Sequence, residues 1–198
     1  SGDIRGSVRA DGGEGLDTLT DVVLATGGAS GDHITNTAVT GRADGGPGED
    51  TITARQSFGI VGGPDDDQIT AGKLVRDGFD PLPPTIRGDG GDDRVTLGPE
   101  RLPVPSIVNG GTGADLLVLS ARSRDLSITV DGEPNDGEDG EGLNVIGFDQ
   151  FRLGSGDDFF FSFRDAGNDQ VDGGAGADRI LPGDGPDLLI GGPGRDTL

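Results

Sequence analysis

A nine-residue pattern recurs along this chain and leaves little freedom in how it folds. GGEGLDTLT, from Gly12, returns as GGPGEDTIT from Gly45, GGTGADLLV from Gly110 and GGAGADRIL from Gly173, all reading G-G-x-G-x-D-x-U-x with U apolar. Less complete copies begin at Gly27, Gly62, Gly88, Leu153, Arg164 and Pro182, and a last one runs from Gly191 to Leu198. The sixth-position Asp is present in all eleven copies: Asp17, Asp32, Asp50, Asp67, Asp93, Asp115, Asp158, Asp169, Asp178, Asp187 and Asp196. A flexible acidic linker has no reason to place an apolar residue two positions after such an Asp. The period instead marks a solenoid, in which each repeat buries its apolar side only by stacking on its neighbours.

Each part of the repeat has a physical role. Glycine reaches the positive-φ conformations that let a turn fold its carbonyls inward. The three residues after Asp alternate out, in, out along a strand, which points the eighth residue into the core. Leu19, Ile34, Ile52, Ile69, Val95, Leu117, Phe160, Val171, Ile180 and Leu189 form that expected inner ladder. Such a ladder is thin. Hydrophobic residues make up 31% of the 198, against 40 Gly, 12 Pro and a formal net charge of −21. That composition lies close to a disordered acidic chain, so something besides apolar burial has to offset the ordering cost. With no Cys and a single His, His33, disulfides and nitrogen- or sulfur-ligated metals are excluded. The metals left are hard and oxygen-seeking. Calcium suits a cage of carbonyls and carboxylates, since it takes six to eight oxygens in flexible geometry.

The nonapeptide resembles the RTX, or haemolysin-type calcium-binding, repeat, and the resemblance covers nearly the whole chain. It implies an all-β parallel β-roll or β-helix solenoid in which the first six residues bind calcium and the last three form a strand. The Asp of each copy would supply the carboxylate. Backbone carbonyls would come from positions one, three and five: Gly12, Glu14 and Leu16; Gly45, Pro47 and Glu49; Gly110, Thr112 and Ala114; Gly173, Ala175 and Ala177.

Successive Asp residues are 15, 18, 17, 26, 22 and 43 residues apart up to Asp158, then 11, 9, 9 and 9. A family coil holds two nonapeptides, so residues 1–118 are expected as coils with one calcium-type turn each and residues 153–198 as tandem nonapeptide coils. A second strand is expected before each Gly-Gly, at Val22 to Leu24, Val39, Ile60 and Val61, Ile86, and Ile107 and Val108. The spacing predicts that Asp158, Asp178 and Asp196 continue the first column of turns while Asp169 and Asp187 begin a second on the opposite edge, with at most about nine ions between neighbours.

Residues 119–152 interrupt the pattern and are expected as an acidic capping insertion, with a solvated centre at Asp131 to Glu141. The sixth residue counted from Asp131 is Asp136 and not Gly, so this is no EF-hand loop. Thr20, Thr35, Thr53, Thr70 and Thr96 share the outward ninth position, which suits an exposed strand and, more remotely, an ice-binding surface. Phe159 and Phe161 are outward too, either covered by the insertion or forming a contact face for a protein or domain.

The acidic charge disfavours nucleic acid, no apolar run is long enough for a membrane span, and no signal peptide is evident. The chain starts without Met and stops in mid-pattern, as a segment of a longer protein would. With one Lys, no Tyr and no H-E-x-x-H, catalysis is not expected. The reading that follows is a calcium-binding structural module of a secreted or cell-surface bacterial protein. The alternatives are an adhesin or ice-binding domain, or a non-catalytic module attached to a secreted hydrolase, lyase or epimerase.

Overall fold

The structure, a computed structural model, describes residues 3–5, 9–36, 41–75, 82–102, 105–162 and 167–198. The expected strand at Val39 lies outside them. The first strands in chain order are β1 (Asp3–Arg5), β2 (Arg9–Glu14), β3 (Thr18–Thr20), β4 (Leu24–Ala29), β5 (His33–Asn36), β6 (Arg42–Asp44) and β7 (Thr51–Ser57). They continue as β8 (Gly59–Pro64), β9 (Gln68–Leu74), β10 (Thr85–Gly90), β11 (Arg94–Leu97), β12 (Ser106–Thr112) and β13 (Leu116–Val118). Then come β14 (Leu126–Val130), β15 (Gly137–Glu138), β16 (Leu143–Ile146), β17 (Gln150–Arg152), β18 (Phe159–Ser162), β19 (Gln170–Asp172), β20 (Arg179–Leu181) and β21 (Leu188–Ile190).

These strands build a parallel β-solenoid from three sheets. Ten strands, the odd-numbered ones from β1 to β13 followed by β17, β19 and β21, form the first sheet. The even-numbered strands β2 to β12 with β16 form the second, and β15, β14, β18 and β20 the third. Among the strand pairs of the described residues, β14 and β15 alone run antiparallel, and an isolated antiparallel bridge joins Asp136 to Leu143. Up to β13 the chain alternates between the first and second sheets, and after β17 between the first and third. The change of partner happens in one coil, which runs from β13 in the first sheet through β14, β15 and β16 to β17 in the first sheet again. This junction coil touches all three sheets.

Alternation along the strands puts the eighth-position residues inside: Leu19, Ile34, Ile52, Ile69, Val95, Leu117, Val171 and Ile180 are all at most 1% exposed. Phe151 joins them between Leu117 and Val171 in the register. Leu189, on the last strand of the first sheet, is only partly buried. The second sheet contributes Ala10, Ala25, Ala43, Ile60, Ile86, Val108 and Val145 from the facing side. Thr20, Thr35, Thr53, Thr70 and Thr96 stand in register on the outer face of the first sheet.

The expectation of a solvated centre for residues 131–141 is corrected in part: residues 131–135, 139 and 140 are exposed, but three of the acids are not. Asp136, Glu138 and Glu141 are buried, at 0%, 6% and 1% exposure. The reason is local partnering. Asp136 accepts hydrogen bonds from Thr129 N–H at 2.6 Å and Val145 N–H at 2.8 Å, and Glu141 receives the Arg122 guanidinium. The segment also meets the Phe strand edge to edge, with β14 beside β18, and leaves Phe159 and Phe161 half-buried with parallel rings 6.4 Å apart.

Candidate metal centre

In the N-terminal coils the six residues from the first Gly to Asp carry the chain from the second sheet to the first, and successive turns stack in register. At the second position Gly63 has φ +136°, and a Cβ there would lie 2.0 Å from the Gly46 carbonyl oxygen. Both the backbone conformation and the closeness of the neighbouring turn therefore demand glycine. Where the fourth-position Gly is missing, Ser30 and Asp65 still adopt φ of 82° and 86°, so these two turns keep the shape. A non-glycine residue in that region costs about 1 to 2 kcal/mol.

The sixth-position aspartates form a ladder. Each buried carboxylate accepts the backbone N–H of the Asp one coil before it. Asp17 N–H donates to Asp32 Oδ1 at 2.7 Å, Asp32 to Asp50 at 2.6 Å, Asp50 to Asp67 at 2.8 Å, Asp67 to Asp93 at 2.9 Å and Asp93 to Asp115 at 2.8 Å. After Asp115 the register departs from the sequence expectation. Asp115 N–H reaches Asp149 Oδ2, and Asp169 N–H reaches Asp187 Oδ1, with β17 paired to β19 between them. The first column therefore continues through Asp149, Asp169 and Asp187. Asp158, Asp178 and Asp196 make the second column, linked by hydrogen bonds of 2.8 and 3.1 Å and preceded by Leu126 at the place of an Asp. The expected assignment was the reverse. The cause is the third side of the junction coil, which sets Asp149 and not Asp158 beside Asp115.

Asp149 was missed because no Gly-Gly precedes it. Its turn is cut to Gly147, Phe148 and Asp149, since Asn109 pairs with Ile146 and Leu116 with Gln150. The only trace in the sequence is the D-x-U-x of Asp149 to Arg152. A second ladder was missed as well. At the fifth position Asp66 accepts Asp92 N–H, Asp92 accepts Ala114 N–H, Asp125 accepts Asp157 N–H and Asp157 accepts Ala177 N–H, all within 2.7 to 2.8 Å.

The other carboxylate oxygen of the first ladder decides the chemistry. Oδ2 of Asp32, Asp50, Asp67, Asp93 and Asp178 is buried with no hydrogen-bond partner. It crowds the first glycine of its own repeat, where a carbonyl oxygen of the next coil also comes close. A Cβ placed on Gly45 would meet Asp50 Oδ2 at 2.2 Å and the Gly62 carbonyl oxygen at 2.5 Å, and one on Gly88 would meet Asp93 Oδ2 and the Gly110 carbonyl oxygen just as closely. Two acceptors with no donor between them call for a proton or a cation. Burial accordingly pushes the Asp50, Asp93 and Asp158 carboxyls up to about 6 and Asp67 up to about 7. The N–H each accepts opposes the rise and neighbouring carboxylates add to it. Asp32 and Asp178 are raised for the same reason.

Among the described residues no three Asp, Glu, His or Cys side chains converge on one point. An ion here would take most of its oxygens from the backbone. Orphaned carboxylate oxygens, adjoining carbonyls and a glycine cradle that a side chain would fill together suit calcium, which accepts mixed oxygen ligands, better than magnesium with its strict octahedron. The position-three carbonyls of Ala29 and Thr112 already accept an N–H from the coil before, but a carbonyl oxygen has a second lone pair. A cleft of about 500 Å³, lined among others by Arg42, Phe58, Gly59 and Arg87, lies on the outer side of the second sheet, away from the turns.

A family model described as the RTX calcium-binding nonapeptide repeat matches four copies, over residues 85–99, 165–189 and 181–198. Within those ranges the chain matches RTX repeats, which supports a calcium-binding module and indicates no catalytic family. The matched ranges hold the turns ending at Asp93, Asp169, Asp178, Asp187 and Asp196, and the in-register ladder extends the same geometry to Asp17, Asp32, Asp50 and Asp67. Comparisons with curated proteins and with solved structures return no match.

Proposed function

We propose that these RTX coils fold on calcium, as a structural module of a secreted or surface protein. The observation that carries this reading is the row of buried carboxylate oxygens set against carbonyls with no donor between them. Without a cation the stack must protonate its aspartates or come apart. The ligands would be the repeat aspartates other than Asp158, with turn carbonyls such as those of Gly12, Gly45, Gly110 and Gly173. Gaps between complete turns number five from Asp17 to Asp115, one between Asp169 and Asp187, and two from Asp158 to Asp196. In one of the last two, Asp158 already spends both oxygens on the N–H groups of Leu126 and Gly154, which leaves seven.

Extracellular sites with a Kd of about 0.1 to 1 mM fill outside a cell and stay empty in the cytosol. Each adds about 1.4 kcal/mol at ten times its Kd, so seven add roughly 10 kcal/mol, as much as a whole domain's stability. Such a module would pass out of the cell unfolded and gain its shape outside. Among the described residues no helix is long and apolar enough to cross a membrane. Circular dichroism with and without chelator tests the coupling: millimolar calcium should produce a large gain in β-structure. A spectrum indifferent to chelator would overturn it.

A further inference from the structure

The junction coil differs from the others in what holds its corners. At 119–125 the Arg122 side chain, 1% exposed, donates to Glu141 at 3.1 and 3.2 Å and to Glu138 at 3.4 Å. At 131–142 Asp136 gathers the N–H groups of Thr129 and Val145, and Glu141 accepts those of Leu102 at 2.7 Å and Glu138 at 2.9 Å. At 147–149 the calcium-type turn is replaced by Phe148, fully buried, with its ring 6.3 Å from Phe151, which in turn lies 4.7 Å from Phe160. The next turn is closed by protein donors too, because Asp158 has a hydrogen bond on each oxygen. Elsewhere the ladder leaves orphaned acceptors. Here protein donors reach both oxygens of Asp136, Glu141 and Asp158, while Glu138 Oε2 has the Arg101 and Arg124 guanidinium groups, each 3.8 Å away.

The same segment is a complete structural unit. Within residues 106–162 each sheet has a pair of its own: β13 with β17 in the first, β12 with β16 in the second and β14 with β18 in the third. Several strands closed around an apolar interior meet the minimum for stability without outside help. Both of its faces are templates, because β10 and β11 stack on β12 and β13, and β19 and β20 stack on β17 and β18.

We propose that residues 106–162 fold without a cation and act as the nucleus from which the calcium-dependent coils propagate in both directions. This rests on the calcium reading of the flanking turns. A solenoid adds coils to a preformed end at far less entropic cost than it starts one. An internal nucleus therefore supplies the costly first step and leaves calcium to drive the additions.

Hydrogen exchange of the whole chain, read by peptide mass spectrometry in chelator and in millimolar calcium, separates the two ideas. In chelator, amides within 106–162 should exchange at least about tenfold more slowly than those of 9–75 and 170–198, and calcium should then protect all of them. Equally fast exchange everywhere in chelator would overturn the nucleus while leaving calcium coupling intact. Slow exchange everywhere in chelator would overturn the calcium coupling itself. As a second arm, Phe151→Leu and Glu141→Gln should each lower protection across the whole of 106–162 in chelator. Loss confined to the mutated strand or corner would show that the segment is not one cooperative unit and would refute the proposal.

Discussion

Replacing Asp50 by Asn should act in opposite directions with and without calcium. Asp50 Oδ1 accepts the Asp32 N–H, a bond the Asn oxygen can keep. The buried Oδ2, now facing the Gly62 carbonyl, becomes an N–H donor. In chelator that replaces a buried, partnerless carboxylate oxygen by a neutral donor, relieving a penalty of about 1 to 3 kcal/mol. Residual β-structure should be no lower than in the wild type. In calcium the same change removes a charged ligand from the gaps on both sides of Asp50, and at ten times the site Kd two lost sites cost about 3 kcal/mol. Urea unfolding in excess calcium measures that loss, and circular dichroism in chelator measures the other arm. Glu133→Gln removes the same formal charge from an exposed side chain and should shift stability by under about 0.5 kcal/mol in either condition. If Asp50→Asn matched this control in calcium, net charge and not turn geometry would govern folding.

Acid should partly substitute for calcium. The folded carboxyls of Asp50, Asp67, Asp93 and Asp158 lie near 6 to 7, above their unfolded value of 3.8, so the calcium-free fold binds more protons than the unfolded chain across that window. Its stability is then greatest below about pH 4 and is lost as pH rises through about 7. Circular dichroism in chelator should accordingly show β-structure growing on acidification, and calcium affinity should rise with pH over the same range. Asp136→Asn should cost about 1 to 3 kcal/mol with or without calcium, since it replaces an oxygen that accepts the Val145 N–H; calcium titration should show an unchanged number of ions. Gly63→Ala should abolish calcium-driven stacking of its coil, its Cβ falling 2.0 Å from the Gly46 carbonyl, whereas Gly59→Ala, whose nearest contact is 3.6 Å, should change the unfolding midpoint little.

The repeat by itself determined the parallel solenoid, the stacked aspartates and the inward eighth residue, because these follow from turn conformation and strand alternation within nine residues. A residue two positions after a turn-closing Asp has one face to occupy, wherever the coil lies. Column membership was different. Whether Asp149 or Asp158 sits beside Asp115 depends on which strand pairs with β13 across an interval of 34 residues, and no local pattern reports that. Only the tertiary structure added the third sheet, and with it the exchange of the two columns. It also decided the fate of the acidic insertion. Read in sequence, Asp136, Glu138 and Glu141 are charges that water should solvate. Folded, they meet Arg122 and the backbone N–H groups of Thr129, Val145 and Leu102, and charge that is paired can be buried where unpaired charge cannot.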